Sequence, residues 1–240
     1  MTSPTERYAL ITGASSGIGR ATALAFAQAG IHLALVSRTQ AKLEAVAADA
    51  AQYGVTVHCY PIDLLQVEHV QEKVAAIAAV EPIDILVNNA GMGYTASLAN
   101  TPLADWQRVL TLNLTSVFQC IQGILPTMRE RQRGTIINVS SIAGQQVFPD
   151  WGAYCVSKYG LVALSKTLAV EERYRGIRVV TISPGSVNTP IWDTDTVHAD
   201  FDRASMLTPE TVAQSILYTA LLPQNAVIED LTLMSSVGAL

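Results

Sequence analysis

A chain of 240 residues, half of them hydrophobic and only 15% charged, can bury one large core and is too apolar to remain disordered. A formal net charge of −5 leaves no basic footprint for nucleic acid. No apolar run approaches the roughly 18 residues of a membrane span, VAAIAAV (74–80) being broken on both sides, and MTSPTERYALIT lacks the apolar stretch of a signal peptide.

YALIT (8–12) reads as a first strand, and GRATALAFAQAG (19–30) has helical spacing and closes on a glycine. HLALVS (32–37) is a second strand, followed by an alanine-rich helix, AKLEAVAADAAQ (41–52), that Gly54 ends. VTVHCY (55–60), VEHVQEKVAAIAAV (67–80) and IDILVN (83–88) supply strand, helix and strand. A longer helical region runs from Leu103 to Arg131, with Pro126 expected to bend or end it. GTIINVS (134–140) is a fifth strand, residues 152–173 a long helix and IRVVTIS (177–183) a sixth strand. PETVAQSILYTALL (209–222) is a helix with Thr208 as its cap and Pro209 in its first turn, and AVIEDLTL (226–233) is the expected last strand. Seven strands separated by helices require right-handed crossovers. The expected class is therefore α/β, a doubly wound parallel sheet with helices on both faces, in a single domain spanning 1–240.

TGASSGIGR (12–20) has two readings. Gly13-Ala14-Ser15-Ser16-Gly17 fits G-x-S-x-G, the elbow that presents a hydrolase serine. That chemistry needs an acid and then a histidine later in the chain; His58 and His69 fall early, and nothing around His198 marks a general base. The second reading is a phosphate-holding turn. Gly13 allows a tight turn out of the first strand, Gly17 leaves room for close backbone approach, and Gly19 lets the helix start against the sheet with its free N–H groups facing a pyrophosphate. The spacing is G-x-x-x-G-x-G, so the glycines alone are weak evidence. Cys59, Cys120 and Cys155 show no C-x-x-C spacing and read as reduced thiols in or near the core of a cytoplasmic protein; no histidine pair suggests a metal.

TGASSGIG resembles the cofactor motif of the short-chain dehydrogenase/reductase family, and the likeness continues in order through Asp63-Leu64, Asn88-Asn89-Ala90-Gly91, Asn113, a serine ahead of Tyr154-x-x-x-Lys158, and Pro184-Gly185. The set covers residues 12 to about 190 and is far more specific than any one piece. The resemblance implies a Rossmann fold, a nicotinamide dinucleotide and oxidoreductase chemistry on a ketone or secondary alcohol. Tyr154 and Lys158, four apart on one helix face, would form the acid–base pair, the ammonium drawing the phenol's pKa down from its ordinary value near ~10. Ser140 and Ser141 compete for the third role; the family's spacing of thirteen residues before the tyrosine selects Ser141 to bind the carbonyl oxygen and leaves Ser140 as a strand-end residue. Asn113, in the apolar LTLNLTSVF, is either a satisfied core amide or, as the resemblance implies, a local helix distortion that holds a relay water near Lys158.

By the same resemblance Ser15, Ser16, Ile18 and Leu64 join the glycines around the cofactor. Asp63 contacts adenine, Asn89 to Gly91 line the cofactor, Lys158 also bonds the nicotinamide ribose, and Pro184, Gly185, Val187 and Thr189 hold the nicotinamide end. Asn88 braces the central strands. The end of the second strand carries Ser37, Arg38 and Thr39 with no carboxylate, which favours NADP(H) over NAD, Arg38 clamping the 2′-phosphate.

The expected substrate walls are 142–151, 92–94 and 186–206, containing Phe148, Trp151, Ile191, Trp192 and Met206. They suit an uncharged ketone or aldehyde. Alternatives are a 3-ketoacyl-carrier-protein reductase, with Arg129, Arg131, Arg133, Arg173 and Arg175 docking an acidic carrier, and a non-catalytic NADP(H) sensor. The family also implies a homotetramer built on the long helices and the apolar tail LTLMSSVGAL.

Overall fold

The computed structural model describes residues 7–199 and 201–238. Residues 1–6 of MTSPTERYALIT, Asp200 of the expected substrate loop and the last two residues of the apolar tail lie outside the described residues. Seven parallel strands form one sheet in the order β3-β2-β1-β4-β5-β6-β7: β1 (Tyr8–Thr12), β2 (His32–Ser37), β3 (Val57–Pro61), β4 (Ile83–Asn88), β5 (Gly134–Val139), β6 (Ile177–Pro184) and β7 (Asp230–Leu233). The order reverses between β1 and β4, and in such sheets a crevice opens beyond the carboxyl ends of the strands at that switch.

Alternation along each strand sorts the core. Ala9, Ile11, Leu33, Leu35, Ile85 and Val87 face α1 (Gly17–Gln28), α2 (Gln40–Ala51) and α7 (Pro209–Leu221). Their neighbours Leu10, Ala34, Val36 and Leu86 face α3 (Val67–Val80), α5 (Ser116–Glu130) and α6 (Gly152–Glu172). Both faces are thus covered, as expected for central strands that read as continuous apolar runs. Thr208 caps α7 by accepting from the Thr211 amide, with Pro209 in the first turn. Of the three free cysteines, Cys120 and Cys155 are buried and Cys59 is partly buried.

Three expectations need correction. Pro126 does not end its helix: α5 continues to Glu130, because Ile124, Leu125 and Met128 around it are buried against α3 and the sheet. The lost backbone bond is outweighed by that burial. α4 (Leu103–Leu110) joins α5 through a π turn, Thr111–Thr115, so the stretch Leu103–Glu130 is one helix. That helix is long and apolar enough to cross a membrane on length and composition, although the expectation was of no such run. Half of its most apolar window is buried inside the protein. Finally, β7 starts at Asp230, not Ala226. The Ala226 carbonyl, like those of Ala220, Leu222 and Pro223, is taken by the Arg178 guanidinium instead of a strand ladder.

Candidate active site

A cleft of about 760 Å³ opens at the carboxyl ends of β1, β2, β4, β5 and β6. Gly13, Ser15, Ser16, Gly17, Ile18, Ser37, Arg38, Thr39, Asp63, Leu64, Asn89, Ala90, Gly91, Ser141, Tyr154, Lys158, Pro184, Gly185, Val187 and Thr189 all line it. Two expected site residues, Gly19 and Asn113, do not; each acts on the cleft through its neighbours.

Gly13 turns the chain with φ +65°, and a Cβ there would sit 2.9 Å from the Ala90 Cα. At Gly19 a Cβ would come within 2.2 Å of the Gly13 carbonyl oxygen, so only glycine lets α1 begin against the turn. Two residues lock this corner to β4. The Asn89 amide side chain donates to the carbonyls of Thr12 and Gly13, and the Thr12 hydroxyl accepts from the backbone N–H groups of Asn89 and Ala90. Sequence reading missed Thr12, although a threonine ending a buried strand beside the glycine turn was a usable signal. Asn88 behaves as expected, bonding Asn138 on β5 within the sheet.

Across the cleft, Ser141 follows β5 and Tyr154 and Lys158 project from the first turns of α6. The Ser141 hydroxyl accepts from the Ala143 amide and stands close enough to the Tyr154 phenol to lower its pKa. Both serines border the cleft, but Ser140 is buried and its hydroxyl is committed to the Lys158 carbonyl. The Lys158 ammonium lies 5.6 Å from the centre of the Tyr154 ring and donates to the Val139 carbonyl at 3.0 Å. Asn113 sits in the π turn. Its side chain exchanges bonds with both backbone polar groups of Met92 and donates to the Ser157 hydroxyl. The expected distortion is there, since a π turn widens the helix at this residue, and its side chain is satisfied by protein groups.

The electrostatics correct one expectation. Lys158 does not draw the Tyr154 phenol down: burial pushes it up to about 12, against the opposing influence of Ser141. Burial also lowers Lys158 to about 8. Near neutral pH the phenol therefore carries its proton and the lysine is mostly an ammonium.

Beyond the end of β2 Arg38 and Thr39 are exposed and Ser37 is buried, its hydroxyl without a hydrogen-bond partner although it lines the cleft. Lys42, one turn into α2, lines the same corner and was not singled out from sequence. At the other end Ile142, Phe148, Trp151, Ile191 and Trp192 form the expected wall, joined by Phe201. Trp151 meets Tyr154 and Trp192 edge-on, at 5.3 and 5.8 Å between ring centres, and Trp192 meets Phe201 at 5.4 Å. Met206 and Tyr94 are buried away from the wall, Tyr94 donating to Asp105. The acidic Asp193 and Asp195 also reach the lining and were not foreseen.

Residues 186–198 cross the cleft as a strap. One end is pinned beside β6, where the Leu207 amide bonds the Ser186 carbonyl and the Asn188 amide bonds the Leu207 carbonyl. At the other, the Thr95 amide bonds the Thr196 carbonyl and the Thr196 hydroxyl donates to the Gly93 carbonyl.

The sequence profile described as short chain dehydrogenase matches residues 7–199. The chain belongs to the short-chain dehydrogenase family. It is 34% identical to a 3-oxoacyl-[acyl-carrier-protein] reductase of Synechocystis over 95% of this chain and 94% of that relative. It is also 32% identical to a sepiapterin reductase of Chlorobaculum tepidum, over 95% and 96%. A glycine betaine reductase of Emericella nidulans matches at 33% over 94% of this chain, which spans only 18% of that relative. Among solved structures, an alcohol dehydrogenase of Thermococcus sibiricus complexed with 5-hydroxy-NADP superposes with a TM-score of 0.87 at 28% identity, covering 96% and 97% of the two chains. A metagenomic short-chain oxidoreductase in complex with NADP gives 0.85, also at 28%, covering 98% and 99%. The chain is thus an enzyme of the short-chain oxidoreductase family, with the Rossmann sheet that membership implies.

Proposed function

We propose that this short-chain dehydrogenase reduces a ketone or aldehyde with NADPH, and oxidises the matching alcohol in reverse. The observation that carries the reading is the meeting of Ser141, Tyr154 and Lys158 at one end of a cleft whose other end offers Arg38, Lys42 and the unpartnered Ser37 hydroxyl. The cleft fits a dinucleotide: the Gly13 and Gly19 positions leave no room for a Cβ, and the buried Ser37 Oγ needs a polar partner. Bound there, NADPH supplies the hydride. Arg38 and Lys42 bind the 2′-phosphate, and no carboxylate stands at the end of β2 to repel it. Asp63 and Leu64 border the adenine, Ala90 and Gly91 the adjoining ribose, and Pro184, Gly185, Val187 and Thr189 the nicotinamide.

Ser141 donates to the substrate oxygen and Tyr154 gives it a proton as alkoxide character develops. A phenol near 12 and an ammonium near 8 set this pair in the protonated state that reduction requires. Lys158 holds the nicotinamide ribose and offsets the charge left on Tyr154. Asn113 positions Met92 and Ser157 around it. The single domain, 1–240, carries both cofactor and substrate sites.

A carrier-linked 3-ketoacyl substrate finds less support in this chain. Arg129 is paired with Glu172, Arg131 and Arg133 with Asp84, and Arg173 with Glu229, while Arg175 forms no ion pair among the described residues. These arginines precede the starts of β5 and β6, at the end of the sheet opposite the cleft. Exposed Phe118 on α5 with Val156, Tyr159 and Val170 on α6 fits contact between copies in a homotetramer, which the mass of the particle in solution tests. The proposed setting is cytoplasmic.

The decisive experiment follows NADPH oxidation with aliphatic, aromatic and β-keto-ester ketones, NADH in parallel, for wild type and Tyr154→Phe. Several ketones should be reduced with NADPH in preference to NADH, and Tyr154→Phe should lose roughly 100-fold or more in turnover while still binding NADPH. NADPH binding without turnover on any carbonyl would favour the sensor reading; no binding would remove both.

A further inference from the structure

We infer that Arg203 is a positioning residue that holds the cofactor-facing and substrate-facing halves of the strap in one arrangement. The inference rests on the NADPH-reductase reading and assigns a role to a residue outside the motif set.

The strap is pinned at its ends, but its middle, the 3₁₀ turn Pro190–Asp193, has few ties of its own. Arg203 supplies them with three donors. Nε donates to the Asn188 Oδ1 at 2.9 Å, Nη1 to the Asp193 Oδ1 at 3.0 Å and Nη2 to the Thr189 carbonyl at 3.0 Å. Only a planar, five-donor guanidinium can reach three acceptors at these directions together, and the bond to Asp193 is charge-assisted. Arg203 is itself set by Asp202, whose carboxylate accepts the Ala204 amide at the start of a short turn.

The bonded residues bracket two functions. Thr189 lies over the glycine turn, its Cβ and Cγ2 each 3.2 Å from where a Gly17 Cβ would be, so its height fixes the depth of the pyrophosphate groove. Trp192, between Thr189 and Asp193, stands against Trp151 in the substrate wall. Its indole N–H donates to the Val187 carbonyl, a second tie that stays within the strap. One side chain therefore sets two walls, and loosening it should weaken dinucleotide and carbonyl binding together while Ser141, Tyr154 and Lys158 stay in place.

The test uses Arg203→Ala and Arg203→Lys, neither of which touches the reacting groups. Hydrogen exchange without cofactor should show amides of 188–196 opening about tenfold faster or more in Arg203→Ala, with the sheet unchanged. The NADPH dissociation constant, read from nicotinamide fluorescence, should rise roughly tenfold, as should KM for the carbonyl, with a smaller change in kcat. Arg203→Lys, which can keep the Asp193 pair and lose the others, should fall between. Unchanged exchange would overturn the inference. Faster exchange with unaltered NADPH affinity and KM would also overturn it, reducing Arg203 to a structural tie and leaving the reductase reading intact. Failure of the wild type to bind NADPH would remove that reading and the inference with it.

Discussion

Lys158→Met should make the protein more stable at neutral pH while abolishing its activity. Lys158 is 5% exposed, and its pKa falls from the ordinary 10.5 to about 8 through burial. At roughly 1.4 kcal/mol for each unit of pKa, the folded state gives up about 3 kcal/mol at pH 7 to keep that ammonium. Methionine has a similar length and no charge, but leaves the Val139 carbonyl without its donor, an opposing loss of about 1 kcal/mol. The net gain of about 2 kcal/mol corresponds to a melting point higher by about 4–8 °C for a chain of this size. The sign depends on pH in a defined way. Between about 8 and 10.5 the unfolded lysine holds more protons than the folded one, so wild-type stability from this source rises across that window. The gap between variant and wild type should therefore be full below about pH 8 and close as pH approaches 10.5. Melting curves at pH 7 and pH 10 measure it. A variant less stable than wild type at pH 7, or a gap that ignores pH, would refute the reasoning.

Ser37→Asp places a carboxylate beside Arg38 and should cut kcat/KM for NADPH roughly 10–100-fold while raising the relative use of NADH, as steady-state assays with both cofactors would record. Gly19→Ala drives a methyl within 2.2 Å of the Gly13 carbonyl oxygen. It should cost about 1–3 kcal/mol and lower the melting point, and titration should show weakened dinucleotide binding. Arg129→Met removes the hydrogen-bonding partner of the Glu172 side chain, which is 1% exposed, and should destabilise by about 1–3 kcal/mol in denaturant titrations, since Arg129 itself is half-exposed and Arg175 remains nearby. The hydrogen bond from Arg129 holds the Glu172 carboxyl below its ordinary value, so the wild-type contribution is present at neutral pH and lost as pH falls through the acid range. That part of the acid dependence should be missing from the variant.

The alternation of seven apolar strands with helices was enough to name the sheet, because each strand is bounded by its own turn signals. Which residues share the cleft also followed from motif order, since strand ends on either side of the β1/β4 reversal must meet there. Other features were set by competition that no local pattern displays. Pro126 signals a helix end, yet the buried side chains around it keep α5 running. Residues 226–229 read as strand, yet Arg178 claims a carbonyl there and the ladder begins later. Arg203 lies in a segment with no motif, and only the folded strap brings its three acceptors together.

The acid–base pair is the sharpest case of such competition. Spacing placed Lys158 one turn from Tyr154 and pointed to a phenol made more acidic by its neighbour. Two opposed effects act on that phenol: a nearby positive charge lowers its pKa, and removal from water raises it. Burial dominates here: removal from water raises Tyr154 to about 12 and lowers Lys158 to about 8, which still leaves the lysine mostly an ammonium near neutral pH. A shallower site would keep a strong ammonium and a phenol nearer neutrality, poised to take a proton from an alcohol. This site instead raises the phenol to about 12 by burial, so that on the proposed reductase reading it is the acid form that meets the substrate. Removal from water thus acts twice in this corner, raising Tyr154 and lowering Lys158, and a substitution that lets water reach both groups should return both values toward the ordinary ones.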